Sequence, residues 1–272
     1  MKKRFILVLT LSFILVLSAM AKAPEITSVS DLVGKVLGMV SPIASKDALL
    51  VDITRSIGGA PEDLLFFNRT ADGVTALMYG KIDAMAVSQI SADFYLKRNQ
   101  NLSKVEKENR IQFFVVMALR NDNEALRDQI NSAIKALDEN GKLAELQDKW
   151  ISNLPVDSEP SLNKIEKIKD AKTYYVGVSG DLAPLDYIAA DGRAAGFNVA
   201  LMSEISKLLK CNFEFVSVEN QARFAALQGR KIDIIFCNYQ GNLDFAKELA
   251  QKNWISTVPY FSFDGACYLV KK

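Results

Sequence analysis

Leu77–Asp83 reads LMYGKID, and Leu227–Asp233 reads LQGRKID. In each, a short helical pattern runs into a glycine, and Lys-Ile-Asp then enters a β-rich run. Glycine stops a helix because it adopts the left-handed conformation that closes the last turn. Alone, either segment is ordinary helix-stop and strand-start chemistry. Two copies in one chain predict two similar lobes, each with its own sheet.

The same alternation spreads outward from both copies. Before the first, Val36–Val40 reads as a buried strand, Lys46–Ile57 as a helix and Leu64–Asn68 as a strand. The spacing predicts a helix over Ala71–Tyr79 and strands at Ile82–Val87 and Ile111–Leu119. Leu126, Ile130, Ile134 and Leu137 repeat at helical spacing, so Asn123–Leu137 is an amphipathic helix. Leu143, Leu146 and Trp150 line a second short helix. Asn153–Ser161 (NLPVDSEPS) breaks the pattern and reads as a linker. A short helix is expected at Ile165–Ala171. The alternation then restarts with strand Tyr174–Val178, helix Val199–Leu209, strand Phe213–Val218, helix Gln221–Leu227, strand Ile232–Cys237 and a last strand at Ala266–Lys271. Strands alternating with helices predict parallel α/β sheets.

Composition narrows the function. The 272 residues are 49% hydrophobic and 24% charged, with a formal net charge of +1. That is a globular composition with no basic field to favour nucleic acid, so no nucleic-acid partner is expected. There is no histidine, which removes His-dependent triads and His-ligated metals. No metal or cofactor is called for. Lys2, Lys3 and Arg4 precede a mostly apolar run, Phe5–Leu17, and Ala19-Met20-Ala21 offers a small-residue cleavage site. Residues 1–21 therefore read as a secretory signal peptide, the run being short for a membrane span. No cysteine closely follows it, so no lipid attachment is expected. Cys211, Cys237 and Cys267 could give one disulfide and one thiol; three small buried residues in or beside strands are the preferred reading.

Together these pieces resemble bacterial extracellular solute-binding proteins of family 3, the polar amino-acid type. Val176-Gly-Val-Ser-Gly-Asp-Leu-Ala-Pro184-Leu-Asp-Tyr187, then Gly196-Phe197-Asn198-Val199, is similar to the opening of that family's first lobe. Leu227–Asp233 and Ile255-Ser256-Thr-Val-Pro259-Tyr260 resemble its later parts, and Tyr268–Lys272 its crossover strand. Asp31-Leu-Val-Gly34-Lys-Val-Leu-Gly38-Met resembles the start of the family's second lobe. Leu77–Ala84 resembles that lobe's Gly-Lys-x-Asp unit, and Phe113–Arg120 its return strand. Asp138–Ser152 (DENGKLAELQDKWIS) is similar to the final helices of the family, yet it stands mid-chain.

The resemblance implies an α/β fold of the periplasmic-binding-protein-like type II, two hinged lobes in circularly permuted order. Lobe 2 would be 26–112, followed by the return strand and closing helices of lobe 1 over 113–152. A linker at 153–164 would lead to the remainder of lobe 1, 165–272. A fragment spanning two tandem binding proteins would give the same order. The hinge is expected to have Ala266–Lys271 paired with Ile111–Arg120.

The resemblance further implies a periplasmic protein that captures a small polar solute for an inner-membrane ABC transporter. Three positions that hold an amino acid in the family are changed here. Phe245 stands for the carboxylate-binding Arg, Ser88 for the amine-binding Asp, and Ser41-Pro42-Ile43-Ala44-Ser45 for a Gly-Thr pair. The expected pocket is polar and mostly uncharged. Ser179, Asp181, Asn220, Asn238, Tyr239 and Gln240 come from lobe 1, and Ser41, Ser45 and Ser88 from lobe 2. Arg223 is the nearby guanidinium, unless it is a solvated helix residue. Leu185 replaces a ligand-stacking aromatic. Asp83 and Asp233 each begin a strand and read as structural. The alternatives are a ligandless scaffold or interaction protein, and an enzyme of the same fold.

Overall fold

The computed structural model describes residues 25–40, 46–106, 111–156, 167–189, 191–220, 222–240 and 245–272. The signal-peptide segment, Ser41, Ser45 and part of the linker lie outside them. In chain order the elements are β1 (Val36–Val40), α1 (Lys46–Ile57), β2 (Asp63–Phe67), α2 (Thr70–Met78), β3 (Ala84–Ser88), α3 (Gln89–Arg98) and β4 (Leu102–Glu106). Next come β5 (Gln112–Arg120), α4 (Glu124–Glu139), α5 (Lys142–Gln147), β6 (Thr173–Val178), β7 (Asp181–Leu182), β8 (Asp186–Ile188) and β9 (Ala194–Ala195). The chain continues through α6 (Phe197–Leu209), β10 (Asn212–Ser217), α7 (Arg223–Gln228), β11 (Ile234–Gln240) and α8 (Phe245–Ala250). It ends with β12 (Trp254–Ser256), β13 (Phe261–Asp264) and β14 (Ala266–Lys271).

Two large sheets share one plan, and a small three-stranded sheet, β7-β8-β9, stands beside them. Lobe 2 has the order β2-β1-β3-β14-β4, and lobe 1 has β10-β6-β11-β5-β12, with β13 also on β5. In each, three parallel strands run second-first-third and an antiparallel strand follows. That antiparallel strand arrives from a neighbour in the other sheet. β5 follows β4 of lobe 2, and β14 follows β13 of lobe 1.

The two crossovers run side by side. Phe261–Asp264 pairs with Gln112–Val115, Gly265 N–H donates to Ile111 O (2.8 Å), and Cys267–Lys271 pairs with Leu102–Glu106. The expected pairing of Ala266–Lys271 with Ile111–Arg120 is therefore corrected. Each crossover changes sheet near Gly265, so β13 meets β5 and β14 meets β4. This also places Ala266–Lys271 in lobe 2's sheet, although the resemblance assigns all of 165–272 to lobe 1.

The repeated heptapeptide does the same work twice. Asp83 N–H donates to Val36 O (2.8 Å), and Val36 N–H donates back to Asp83 Oδ2 (2.8 Å). Asp233 N–H donates to Tyr175 O (2.7 Å), and Tyr175 N–H donates back to Asp233 Oδ2 (3.0 Å). Each aspartate locks the third strand of its lobe to the first, as the structural reading expects. The left-handed residue before it is Gly80 (φ +69°) in lobe 2 and Arg230 (φ +58°) in lobe 1.

Asp138–Ser152 closes lobe 1. Gly141 (φ +78°) turns α4 into α5, and Leu143, Leu146 and Trp150 join Leu126, Ile130, Ile134 and Leu137 in the largest apolar core. The helix predicted at Ile165–Ala171 is absent from its described part, where Lys169 and Asp170 form a turn. The buried amide of Asn212 explains this. It accepts from Ile168 N–H (2.8 Å) and donates to the carbonyls of Ile168 (2.9 Å) and Ala171 (3.3 Å), taking groups a helix would use. All three cysteines are buried, and none forms a disulfide among the described residues.

Arg120, at the end of β5, binds the second heptapeptide. Its guanidinium donates to the carbonyls of Leu227 (3.1 Å) and Ile232 (2.8 Å) and to Asp233 Oδ1 (3.0 Å). Removing one partner of such a buried cluster strands the others. Arg120→Leu is expected to lower the unfolding free energy by about 3 kcal/mol in urea denaturation. A loss below roughly 0.5 kcal/mol, the scale of a surface change, would show that the cluster is not structural.

Candidate functional site

The C-terminal ends of β1, β3, β6 and β11 face one another across the cleft between the lobes. They enclose a cavity of about 290 Å³. Such strand ends and the adjoining helix N-termini present free N–H groups, which suit polar and anionic ligands. A larger groove of about 710 Å³ lies between α4 and 258–262, but it draws on lobe 1 alone. The inter-lobe cavity is the better site because both lobes build it.

Of the residues expected in the pocket, Ser88, Ser179, Asp181, Asn220, Arg223 and Asn238 line this cavity. Tyr239 and Gln240 continue β11 as anticipated, but their side chains lie outside the described residues, as do Ser41 and Ser45. Ser88 is the N-cap of α3: it accepts from Ser91 N–H (3.3 Å) and donates to Ser91 Oγ (2.9 Å). Its hydroxyl is committed to the helix. Leu185 and Tyr187 are buried in the lobe 1 core and do not line the cavity. The cavity's aromatic wall is Phe113 stacked on Phe263 (centroids 5.5 Å, 9° between planes), with Phe236 nearby.

Sequence reasoning missed this pair, together with Thr70, Ser91 and Asn198. Phe113 and Phe263 are opposite one another on β5 and β13. The alternation in Phe261-Ser-Phe263 was the available signal for β13.

The pocket loop is held from behind by a buried network. Asp186 accepts from Ser179 Oγ (3.2 Å), Gly180 N–H (3.2 Å) and Asn198 Nδ2 (3.3 Å), and Tyr260 Oη donates to Asn198 Oδ1 (2.9 Å). Burial raises the Asp186 carboxyl above the ordinary value, against the opposing pull of Arg223 and these donors. Gly196 (φ +111°) lets α6 approach: a Cβ there would sit 2.5 Å from Leu185 O.

Among the described residues, two polar bridges join the lobes beside the cavity. Asp181 Oδ1 of lobe 1 accepts from Thr70 N–H, the first residue of α2 in lobe 2. A carboxylate at a helix N-terminus is favourably placed. Ser91 Oγ of α3 donates to Ala183 O (2.7 Å). Asp181 and Arg223 are the charged residues among the described lining. Burial pushes the Asp181 carboxyl up to about 6, with Asp186 adding to the rise and the Thr70 amide opposing it.

The profile of bacterial extracellular solute-binding proteins, family 3, matches residues 26–153 and 174–271. The chain belongs to that family. The arginine-binding extracellular protein ArtP of Bacillus subtilis (strain 168) is 30% identical over 138 residues, 48% of this chain and 50% of that protein. A probable amino-acid ABC transporter-binding protein of Haemophilus influenzae (strain ATCC 51907 / DSM 11121 / KW20 / Rd) is 27% identical over 106 residues, 39% of each chain. The chain thus spans half or less of the length of the curated relatives it matches. Among solved structures, the GluR0 ligand-binding core with L-glutamate aligns over 88% of this chain and 85% of that one, at 11% identity and a TM-score of 0.47. An ancestral arginine-binding protein bound to arginine aligns over 89% and 86%, at 13% identity and a TM-score of 0.43. Among the described residues no helix is long and apolar enough to cross a membrane.

Asp181 gives the site a pH dependence. Its folded value of about 6 exceeds the ordinary carboxyl value of 3.8, so the folded chain retains a proton that the unfolded chain releases. The stability this contributes is complete below the unfolded value and is lost as pH rises through about 6. Thermal stability should fall between pH 5 and pH 7.5, and Asp181→Asn should reduce that fall. Identical falls in both proteins would show that Asp181 does not titrate in the folded state.

Proposed function

We propose that this protein is an exported receptor that captures a small polar solute between its lobes and presents it to an inner-membrane transporter. The observation that carries this reading is the 290 Å³ cavity built by strand ends and helix N-termini of both lobes. A solute that touches both lobes shifts the population toward the closed form, with the paired crossovers as hinge. The protein acts in the periplasm after a leader at 1–21, and it binds rather than transforms its solute.

The amino-acid site is degenerate. Phe245 and Ser88 cannot supply the carboxylate and amine clamps, and the capping bonds of Ser88 support its structural role. A zwitterion placed there would lose the ion pairs that offset its desolvation. The common amino acids are therefore poor ligands. In a thermal-shift screen of small polar solutes, at least one non-amino-acid solute is expected to raise the midpoint by about 3 °C or more. Tight binding of a standard amino acid would refute the degenerate site. Silence across the whole screen would favour the ligandless scaffold.

The order of parts is circularly permuted: lobe 2, closing helices, linker, then the opening of lobe 1. Three observations support this. The family profile matches in two blocks separated at 154–173. Each curated relative aligns over half its length or less, as a collinear alignment must if it can follow only one of two exchanged lobes. Ile26 also packs with the core cluster that contains Val270. A gene rearranged to join 272 to 25 by a short linker, and opened within 157–166, should yield the same circular-dichroism spectrum. Its unfolding free energy should lie within about 1 kcal/mol of the original. A rearranged chain that is unfolded, or an original chain that is an obligate swapped oligomer, would favour the tandem-fragment alternative.

A further inference from the structure

Arg223 opens α7 and reaches the cavity beside Asn220, Phe236 and Asn238. Its Nη1 donates to Phe236 O (3.0 Å), which fixes the plane of the guanidinium. Its Nε is buried with no hydrogen-bond partner. It forms no ion pair with a carboxylate among the described residues. Asp186 feels its charge, but that carboxylate is bonded to Ser179, Gly180 and Asn198 instead. A buried guanidinium N–H without an acceptor is costly, and more so for a charged group than a neutral one. A planar fork with one side tied to a carbonyl is prepared to receive a carboxylate on the other.

The opposite charge in the cavity is already engaged. Asp181 Oδ1 accepts the Thr70 amide, and Thr70 Oγ1 lies 3.4 Å from Oδ2. No second carboxylate lines the described cavity to meet an ammonium. Asn198, Ser91 and Ser179 are likewise engaged, with Asp186 and Tyr260, with the Ala183 carbonyl, and with Asp186; what remains in the lining is the amide pair of Asn220 and Asn238.

Resting on the receptor reading above, we infer that Arg223 is the ligand anchor of this protein and that the cleft takes a small monocarboxylate without an amine. The carboxylate bonds to the Nε and Nη2 side of the guanidinium. The remainder of the solute is uncharged and hydrogen-bonds to the asparagines, with its apolar surface against Phe113 and Phe263. The carboxylate anchor thus comes from the first turn of α7 instead of the position of Phe245.

Isothermal titration of the purified chain tests this with matched probes. Glutaramate, succinamate and lactate carry the carboxylate, and glutaramide, succinamide and lactamide replace it by an amide. Glutamine, asparagine and alanine restore the amine. At least one acid is expected to bind at least 10-fold tighter than both its amide and its amino counterpart. Arg223→Leu should weaken that acid about 30-fold or more, as loss of a buried charge partner does. Arg223→Lys should retain part of the affinity. If Arg223→Leu does not fold, Arg223→Gln, which still donates to the Phe236 carbonyl, takes its place. Amides binding as well as acids, an amino counterpart binding more tightly, or an acid indifferent to the Arg223 variants would overturn the inference while leaving the receptor reading intact. A chain that binds none of these probes and none of the wider screen would overturn both.

Discussion

Everything in this molecule depends on two strands that leave one sheet and complete the other. Neither sheet is whole without its antiparallel strand, because β3 and β4 in lobe 2 meet only through β14, and β11 and β12 in lobe 1 meet only through β5. The two lobes are therefore not independent units joined by a tether. Each contains a strand whose covalent neighbour belongs to its partner. The crossovers also pair with each other, at Phe261–Asp264 with Gln112–Val115 and at Cys267–Lys271 with Leu102–Glu106. This places the aromatic pair Phe113 and Phe263 at the floor of the cleft, where the ribbon passes between lobes.

The walls of that cleft divide between structure and function. Ser88, Ser179 and Asp181 are polar residues of the lining, yet each is held by its own protein: Ser88 by α3, Ser179 by Asp186, and Asp181 by the Thr70 amide. Arg223 differs, since its Nε points to no described acceptor. A buried polar group that the fold leaves unsatisfied is where a ligand contributes most. Composition cannot reveal this distinction, because hydroxyls that cap and hydroxyls that bind are the same letter.

The regular elements were legible wherever periodicity and a stop signal agreed. Val36–Val40, Lys46–Ile57 and Ala266–Lys271 appear with the expected ends, as does the buried face of α4. Elements shaped by tertiary contact were not. α3 has no clean apolar stripe, because its faces meet both lobe 2 and the lobe 1 core through Ile90 and Phe94. β4 (LSKVE) and β13 (FSFD) are short, and they are strands because a crossover lies beside them. The helix expected at Ile165–Ala171 yields to one buried asparagine far along the chain. In the site, the strand extension through Gln240 was readable from alternation. The seating of Arg223 in the cavity was not, since position on a six-residue helix does not say which way the helix faces.

The paired heptapeptides show what kind of memory the two lobes share. Counted back from the aspartate, the left-handed position is three residues earlier in both, yet it holds Gly80 in one lobe and Arg230 in the other. Gly229 sits one place too early and has an ordinary backbone (φ −76°). The glycine is thus an unreliable landmark, because a left-handed turn tolerates other residues at a cost on the order of 1–2 kcal/mol. The aspartate is the datum: its carboxylate and amide together measure the distance from the first strand to the third. The two halves of the chain use the same ruler although the letters printed beside it differ.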